Sequence, residues 1–310
     1  MTVSVIPIRP WGVHLNGGWT MSEDPLIARN LRDMELRGRT AETIRARGWL
    51  LARVQDAMGV PLAEASAADV MAWRESLAVD RDTVRTYVSH VRQFYAWLRK
   101  TGVRPDDPAE DLPVPPKRKR KARPMPEDHL LAALAGAPPR IRPWLALAAD
   151  AGLRCKEIAG LRRENVWEHR RPPCLLIAAE STKGERTERT IPMTPFLREV
   201  LLEHGLPSHG FLFRRGDGQP GPNTPCNISH LANRYLHSAG IPETIHQLRH
   251  RFGSVVNDLG GGRVAQELLG HQHLDSTQIY TLVSSDQIAA VVGQLPDLRP
   301  GHHLQVPDSA

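Results

Sequence analysis

The chain has 310 residues, 41% of them hydrophobic, which is enough for two domains with packed cores. Cys155, Cys174 and Cys226 are scattered, which excludes a disulfide framework or a CxxC redox site and points to a reducing compartment. A formal charge of +6, with Arg far outnumbering Lys, favours a polyanionic partner whose phosphates the guanidinium forks can grip. The opening MTVSVIPIRPWGV lacks the charged-then-apolar order of a signal peptide, and no long apolar run could cross a bilayer. The expected location is the cytoplasm, with no membrane partner.

Residues 1–20 are rich in Pro and Gly and read as a flexible tail. Over 21–112 the pattern is helical. TAETIRARGWLLARVQDAMG carries Thr40 as its N-cap, and SAADVMAWRESL opens on Ser66 with Asp69 three residues on, a capping-box variant. TVRTYVSHVRQFYAWLRKTG places Val84, Tyr87, Val88, Val91, Phe94, Tyr95 and Leu98 on one face, and Gly102 stops it. Arg85, Ser89 and Arg92 lie off that face and are the candidates for contacts to a polyanionic partner. The cluster of Tyr87, Phe94, Tyr95 and Trp97 reads as core and not as a base-stacking platform.

Residues 113–126 form a basic, Pro-rich linker: prolines 113, 115, 116, 124 and 126 forbid regular helix, and six of the seven residues from Lys117 to Arg123 are Lys or Arg. The run containing Lys117, Arg118, Lys119, Arg120 and Lys121 has two readings. It is either a solvated hinge or a strap along a nucleic-acid backbone, where phosphates quench the repulsion.

Over 127–295 helical stretches return around a small sheet. PWLALAADAGLRCKEIAGLRRENV is helical with an interruption at Gly152. Residues 174–179 and 189–193 read as two strands joined by a polar turn containing Lys183 and Gly184. NISHLANRYLHSAG, HQLRHRFGSVVNDLG, RVAQELLG and STQIYTLV are helical again, and residues 296–310 read as a second flexible tail. The fold class is therefore mainly α: an N-terminal helical bundle followed by a mixed α/β domain with a small antiparallel sheet.

One inventory stands out. His246 and Arg249, three apart on a helix, share a face. Arg154 follows Gly152 at a helix start, Lys183 sits in a hairpin turn, His271 follows the LLG turn, and Tyr280 lies nine residues further on. Two Arg forks match the non-bridging oxygens of a phosphodiester, a phenol can attack phosphorus, and Lys and His can move protons. Cations in this number replace a metal, so neither metal nor cofactor is expected. Each residue has a plainer reading: a surface Arg154, an ordinary turn Lys183, a locally bonded His246, a core Tyr280. His273 competes with His271, and His250, Arg251 and Cys155 read as structural.

In this order the residues resemble the tyrosine recombinases of the phage integrase family. AGLRCKEI resembles the first-arginine box, with Glu157 beside Arg154. STKGERTERTIPM resembles the hairpin-lysine segment, HQLRH the His-x-x-Arg box, and LLGHQHLDSTQIY the Gly-His box and nucleophile. The resemblance covers about 25 to 292. It implies a SAM-like core-DNA-binding bundle and a catalytic domain, with Arg154, Lys183, His246, Arg249, His271 and Tyr280 catalytic and a 3′-phosphotyrosyl intermediate formed without metal or ATP. It also implies double-stranded DNA as partner, a homotetramer on two sites, a monomer or weak oligomer when free, and a nucleoid-associated location. An accessory directionality factor is a further possible partner. DQIAAVVGQL resembles the trailing helix that docks on a neighbouring protomer, with Ile288, Val291, Val292 and Leu295 as its stripe. Only about twenty residues precede the first helix, too few for a separate arm-binding domain, so the form is compact and Xer-like in length. Phage or mobile-element integration and excision is the leading role. Chromosome-dimer resolution, a type IB topoisomerase and a non-catalytic DNA-binding regulator are the alternatives.

Overall fold

A computed structural model of the chain describes residues 24–118, 123–179, 188–216, 221–270 and 283–299. They fall into two compact units, one up to residue 120 and one from residue 121.

The first unit is four helices: α1 (Pro25–Leu36), α2 (Ala41–Met58), α3 (Ala67–Glu75) and α4 (Arg81–Lys100). Thr40 caps α2 by accepting from the Thr43 amide, and Ser66 and Asp69 cap α3 reciprocally, satisfying amide groups that have no partner in a first turn. The i, i+3, i+4 spacing in α4 puts Val84, Tyr87, Val88, Val91, Phe94, Tyr95 and Leu98 in the core, and Trp97 joins them. Leu51 of α2 packs in the same core with no exposed surface. The aromatic cluster is therefore packing, as expected from the sequence. The first unit extends past 112: Val114 packs on this core and Arg85 donates to the Pro115 carbonyl at 2.6 Å. The linker is correspondingly shorter than 113–126 at both ends. Met125 is buried in the second unit, and its amide donates to the Gln247 carbonyl at 3.3 Å.

The second unit contains α5 (Glu127–Ala135), α6 (Arg142–Asp150), α7 (Cys155–Gly160), β1 (Val166–Trp167), β2 (Cys174–Ile177), β3 (Arg189–Pro192), α8 (Pro195–His204), α9 (Pro225–Ser238), α10 (Ile245–Leu269) and α11 (Ser285–Gly293). α6 is buried from Pro143 to Asp150 and packs on α8 and α10, so it is the central element of this core. The sheet is antiparallel in the order β1-β2-β3, with Val166 opposite Leu175 and Ile177 opposite Arg189. α10 is two helical pieces divided at Gly261, whose φ of 77° needs glycine. Among the described residues no helix is long and apolar enough to cross a membrane.

Two features mark the C-terminal end. The α11 stripe is covered within the chain: Val291 and Val292 are buried against α10 and β3, with Ile288 and Leu295 packed beside them. Within a single chain this apolar seat is reached without the entropy loss of association. The ordered chain also runs past 295. Leu298 is buried and Asp297 pairs with Arg299, so 296–299 belong to the folded unit and not to a flexible tail.

Replacing Leu51 with Ala removes a fully buried side chain. The expected loss is about 2–5 kcal/mol in urea unfolding, and a loss below about 1 kcal/mol would contradict the packing of the first unit.

Candidate active site

The site is assembled where α6 ends, α7 begins and α10 starts. Gly152 turns the chain between α6 and α7 with φ of 63°, and a Cβ there would lie 2.4 Å from Phe252 Cδ1. No side chain fits, so α10 approaches the backbone closely. That approach lets Arg249 NH1 donate to the Gly152 carbonyl while its NH2 donates to the Leu269 carbonyl at 2.7 Å. Arg154 is the N-cap of α7. Glu157, in the first turn, accepts from the Arg154 amide at 2.8 Å and from Arg154 NH1 at 3.2 Å. Arg249 NH1 reaches the same carboxylate at 3.4 Å.

A third arginine completes the cluster. Arg189 grips both Glu157 oxygens, NH1 to Oε1 at 3.0 Å and NH2 to Oε2 at 3.1 Å. Three guanidinium groups thus meet one carboxylate. Glu157 is 1% exposed, and the Arg154 side chain, at 27%, is the most accessible of the three arginines. Burial pulls the Arg249 pKa down to about 9, with Arg154 and Arg189 adding repulsion that Glu157 only partly offsets. Burial opposes ionisation of Glu157, yet its pKa is held below the usual value by the Arg189 hydrogen bonds and charge, the Arg154 amide and Arg249.

His246 lies in the first turn of α10, which Gln247 caps through the Thr244 amide at 3.0 Å. Its ring meets His250 edge to face at 4.6 Å between centroids. Burial lowers its pKa, and His250, Arg249 and Arg154 lower it further, so the imidazole is neutral at neutral pH. Among the described residues no three His, Cys, Asp or Glu side chains converge as metal ligands.

A sequence model described as the phage integrase family matches residues 126–287. The chain belongs to the phage integrase family of tyrosine recombinases. It is 28% identical over 263 residues to tyrosine recombinase XerA of Thermococcus kodakarensis, covering 82% of this chain and 89% of that one. It is 31% identical over 259 residues to tyrosine recombinase XerC of Neisseria gonorrhoeae, covering 76% and 80%. In structure it is similar to a lambda integrase tetramer bound to a Holliday junction, with a TM-score of 0.65 and 14% identity over 81% of this chain and 78% of that one. At that identity the likeness is one of fold.

Of the residues singled out in this recombinase, the structure brings Arg154 and Arg249 together on Glu157, with His246 within electrostatic reach of both arginines. Lys183, His271 and Tyr280 lie outside the described residues, as do Lys119, Arg120 and Lys121. Lys117 and Arg118 are exposed. In the first unit the Arg85 guanidinium is engaged with Pro115, and the Ser89 hydroxyl donates to the Arg85 carbonyl at 2.8 Å. Arg92 is half-buried. Sequence reasoning missed Arg189 and a cluster on α2 and α4, where buried Arg47 donates to His90 Nδ1 at 3.1 Å and Gln93 Oε1 at 2.7 Å. Burial lowers the Arg47 pKa to about 10, with Arg39 adding to it, and lowers His90 to about 4, with Arg47 adding to it. The signal for Arg47 was a cation one turn from Leu51, within a helix face otherwise apolar.

Asp150 ends α6 just before Gly152. It is buried and accepts from the Thr194 hydroxyl. Burial raises its pKa from 3.8 to about 7, only partly offset by the Thr194 bond and Arg251, while Asp297 pushes the same way as burial. The folded chain therefore keeps a proton that the unfolded chain releases. Stability contributed by this group is present below pH 3.8, falls as pH rises toward about 7, and is flat above. Asp150→Asn should remove that fall, so in urea titrations the variant gains on the parent as pH rises; parallel stability profiles would refute the buried neutral carboxyl.

Proposed function

We propose that this recombinase cuts and rejoins duplex DNA at specific sites through a 3′-phosphotyrosyl intermediate, in phage or mobile-element integration and excision. The observation that carries the reading is the convergence of Arg154 and Arg249 on one buried carboxylate. Their cationic heads, together with Arg189, exceed the charge of Glu157 and suit a phosphodiester anion. Tyr280 Oη attacks the scissile phosphorus, forming the Tyr–O–P bond as the bond from phosphorus to the 5′-oxygen breaks. Lys183 gives the departing oxygen a proton, and His246 and His271 hydrogen-bond the phosphoryl oxygens or move protons. A 5′-hydroxyl of the partner duplex then attacks the phosphotyrosine and frees Tyr280. One phosphoester replaces another at each step, so no ATP is required, and the side-chain cations do the work of a metal.

The first unit is the core-DNA-binding domain in this reading. Arg92 supplies positive charge there, since Arg85 and Ser89 are occupied locally. Four protomers act on two sites, two at a time, in the nucleoid, with α11 exchanging its cis seat for one on a neighbour. The lambda integrase tetramer on a Holliday junction, similar in fold, supports that assembly. An accessory factor setting direction would act on the tetramer. The second reading is Xer-type chromosome-dimer resolution, favoured by the near full-length match to XerA. Sequencing DNA trapped on the protein separates the two: ends of mobile elements support the first, one chromosomal site the second.

Tyr280→Phe removes only the attacking oxygen. It is expected to bind DNA but to leave no covalent adduct on a nicked suicide duplex, and adducts at the parental yield would refute the assignment.

Replacing the five cations Lys117, Arg118, Lys119, Arg120 and Lys121 with Gln is expected to flatten the salt dependence of DNA affinity by about 0.9 in log–log slope for each phosphate that the run neutralises. An unchanged slope would return this run to a solvated hinge.

A further inference from the structure

Arg189 is the first residue of β3. It pairs with Ile177 across the last described rung before the segment carrying Lys183. Its side chain is 5% exposed and turns away from the strand into the active-site cluster. Nε donates to the Leu268 carbonyl at 2.8 Å, and the two terminal nitrogens take both oxygens of Glu157. The same group lies under Gly270, where an added Cβ would come within 3.0 Å of Arg189 NH1. Gly270 ends α10 in the left-handed region and immediately precedes His271. One planar guanidinium therefore joins the base of the hairpin, the helix that starts at Arg154, and the end of α10.

The chemistry of that junction calls for arginine. A guanidinium presents several N–H donors in a rigid fork, and three of them are used here on acceptors from two different helices. A lysine ammonium could supply the charge but not the simultaneous two-oxygen grip. Glu157 depends on this grip. It is buried, it fixes the Arg154 amide and guanidinium, and it reaches Arg249, all of which require it to accept and not donate.

We propose that Arg189 is a positioning residue for strand cleavage: it holds Glu157 as the doubly gripped acceptor that aims Arg154 and Arg249, and it fixes the hairpin base against the end of α10. The proposal rests on the cleavage reading above. Without Arg189, burial of Glu157 is less opposed, so the carboxyl takes up a proton at a higher pH. A protonated Glu157 no longer accepts from all three donors, and the two remaining arginines lose their common reference.

The test uses the full-length protein and a nicked suicide duplex at saturating concentration, reading the rate of covalent adduct formation against pH. Arg189→Met is expected to cleave ~10²-fold more slowly near neutral pH, the scale of a small misplacement of reacting groups. Its rate should recover as pH rises, giving an acid limb that the parent lacks, while DNA affinity stays within about threefold. Arg189→Lys keeps the charge without the fork. It should show the parental pH profile with a lower plateau. Adding Glu157→Gln to Arg189→Met should abolish the acid limb, because the titrating group is gone. A merely structural role predicts a lower melting temperature with a parental pH profile per folded molecule, and that result would overturn the proposal. Should Arg189→Met fail to fold, a parental plateau in Arg189→Lys overturns it and a lowered plateau at unchanged melting temperature supports it. A parent protein that forms no adduct would instead sink the cleavage reading, and this proposal with it.

Discussion

The Glu157 carboxylate is the point on which the catalytic unit turns. Three arginines from α7, β3 and α10 approach it, and it can balance only one of them. The cluster is held together by the carboxylate and by backbone carbonyls at Gly152, Leu268 and Leu269, which accept without carrying charge. Burial of unbalanced cations is unfavourable, and Arg249 registers that strain in its depressed pKa. The cluster therefore keeps a net positive excess, with Arg154 its most accessible member.

The surrounding fold makes this arrangement sterically possible. α6 supplies a buried floor, Gly152 removes the side chain that would hold α10 away, and the capped start of α10 sets His246 and Arg249 on one face. Arg251, on the same helix, turns the other way and pairs with Glu127 at 2.7 Å, tying α5 to α10. Neighbouring residues of HQLRHRF thus turn to different partners by helical phase.

Much of this was legible in the sequence where periodicity or capping carried it. The α4 stripe, the Ser66–Asp69 box, the break at Gly152 and the β2–β3 pair all follow from local rules, and the structure reproduces them. What escaped did so for separate reasons. β1 has two residues, too short for any alternation. Arg189 and Arg47 went unremarked because their partners lie 32 and 43 residues away. Arg85 and Ser89 read as free for the opposite reason: their acceptors are backbone carbonyls, which no sequence pattern reveals.

The seat of α11 on its own unit sets a rule for any assembly of this chain. The groove on α10 and β3 holds one helix, and each chain owns one groove and one helix. Passing the helix to a neighbour empties a groove that only another copy can refill. An open row of copies leaves one apolar groove bare and one helix unseated, whereas a closed ring leaves neither. Within a ring the buried apolar area is conserved, so ring closure and not helix affinity decides whether the exchange proceeds.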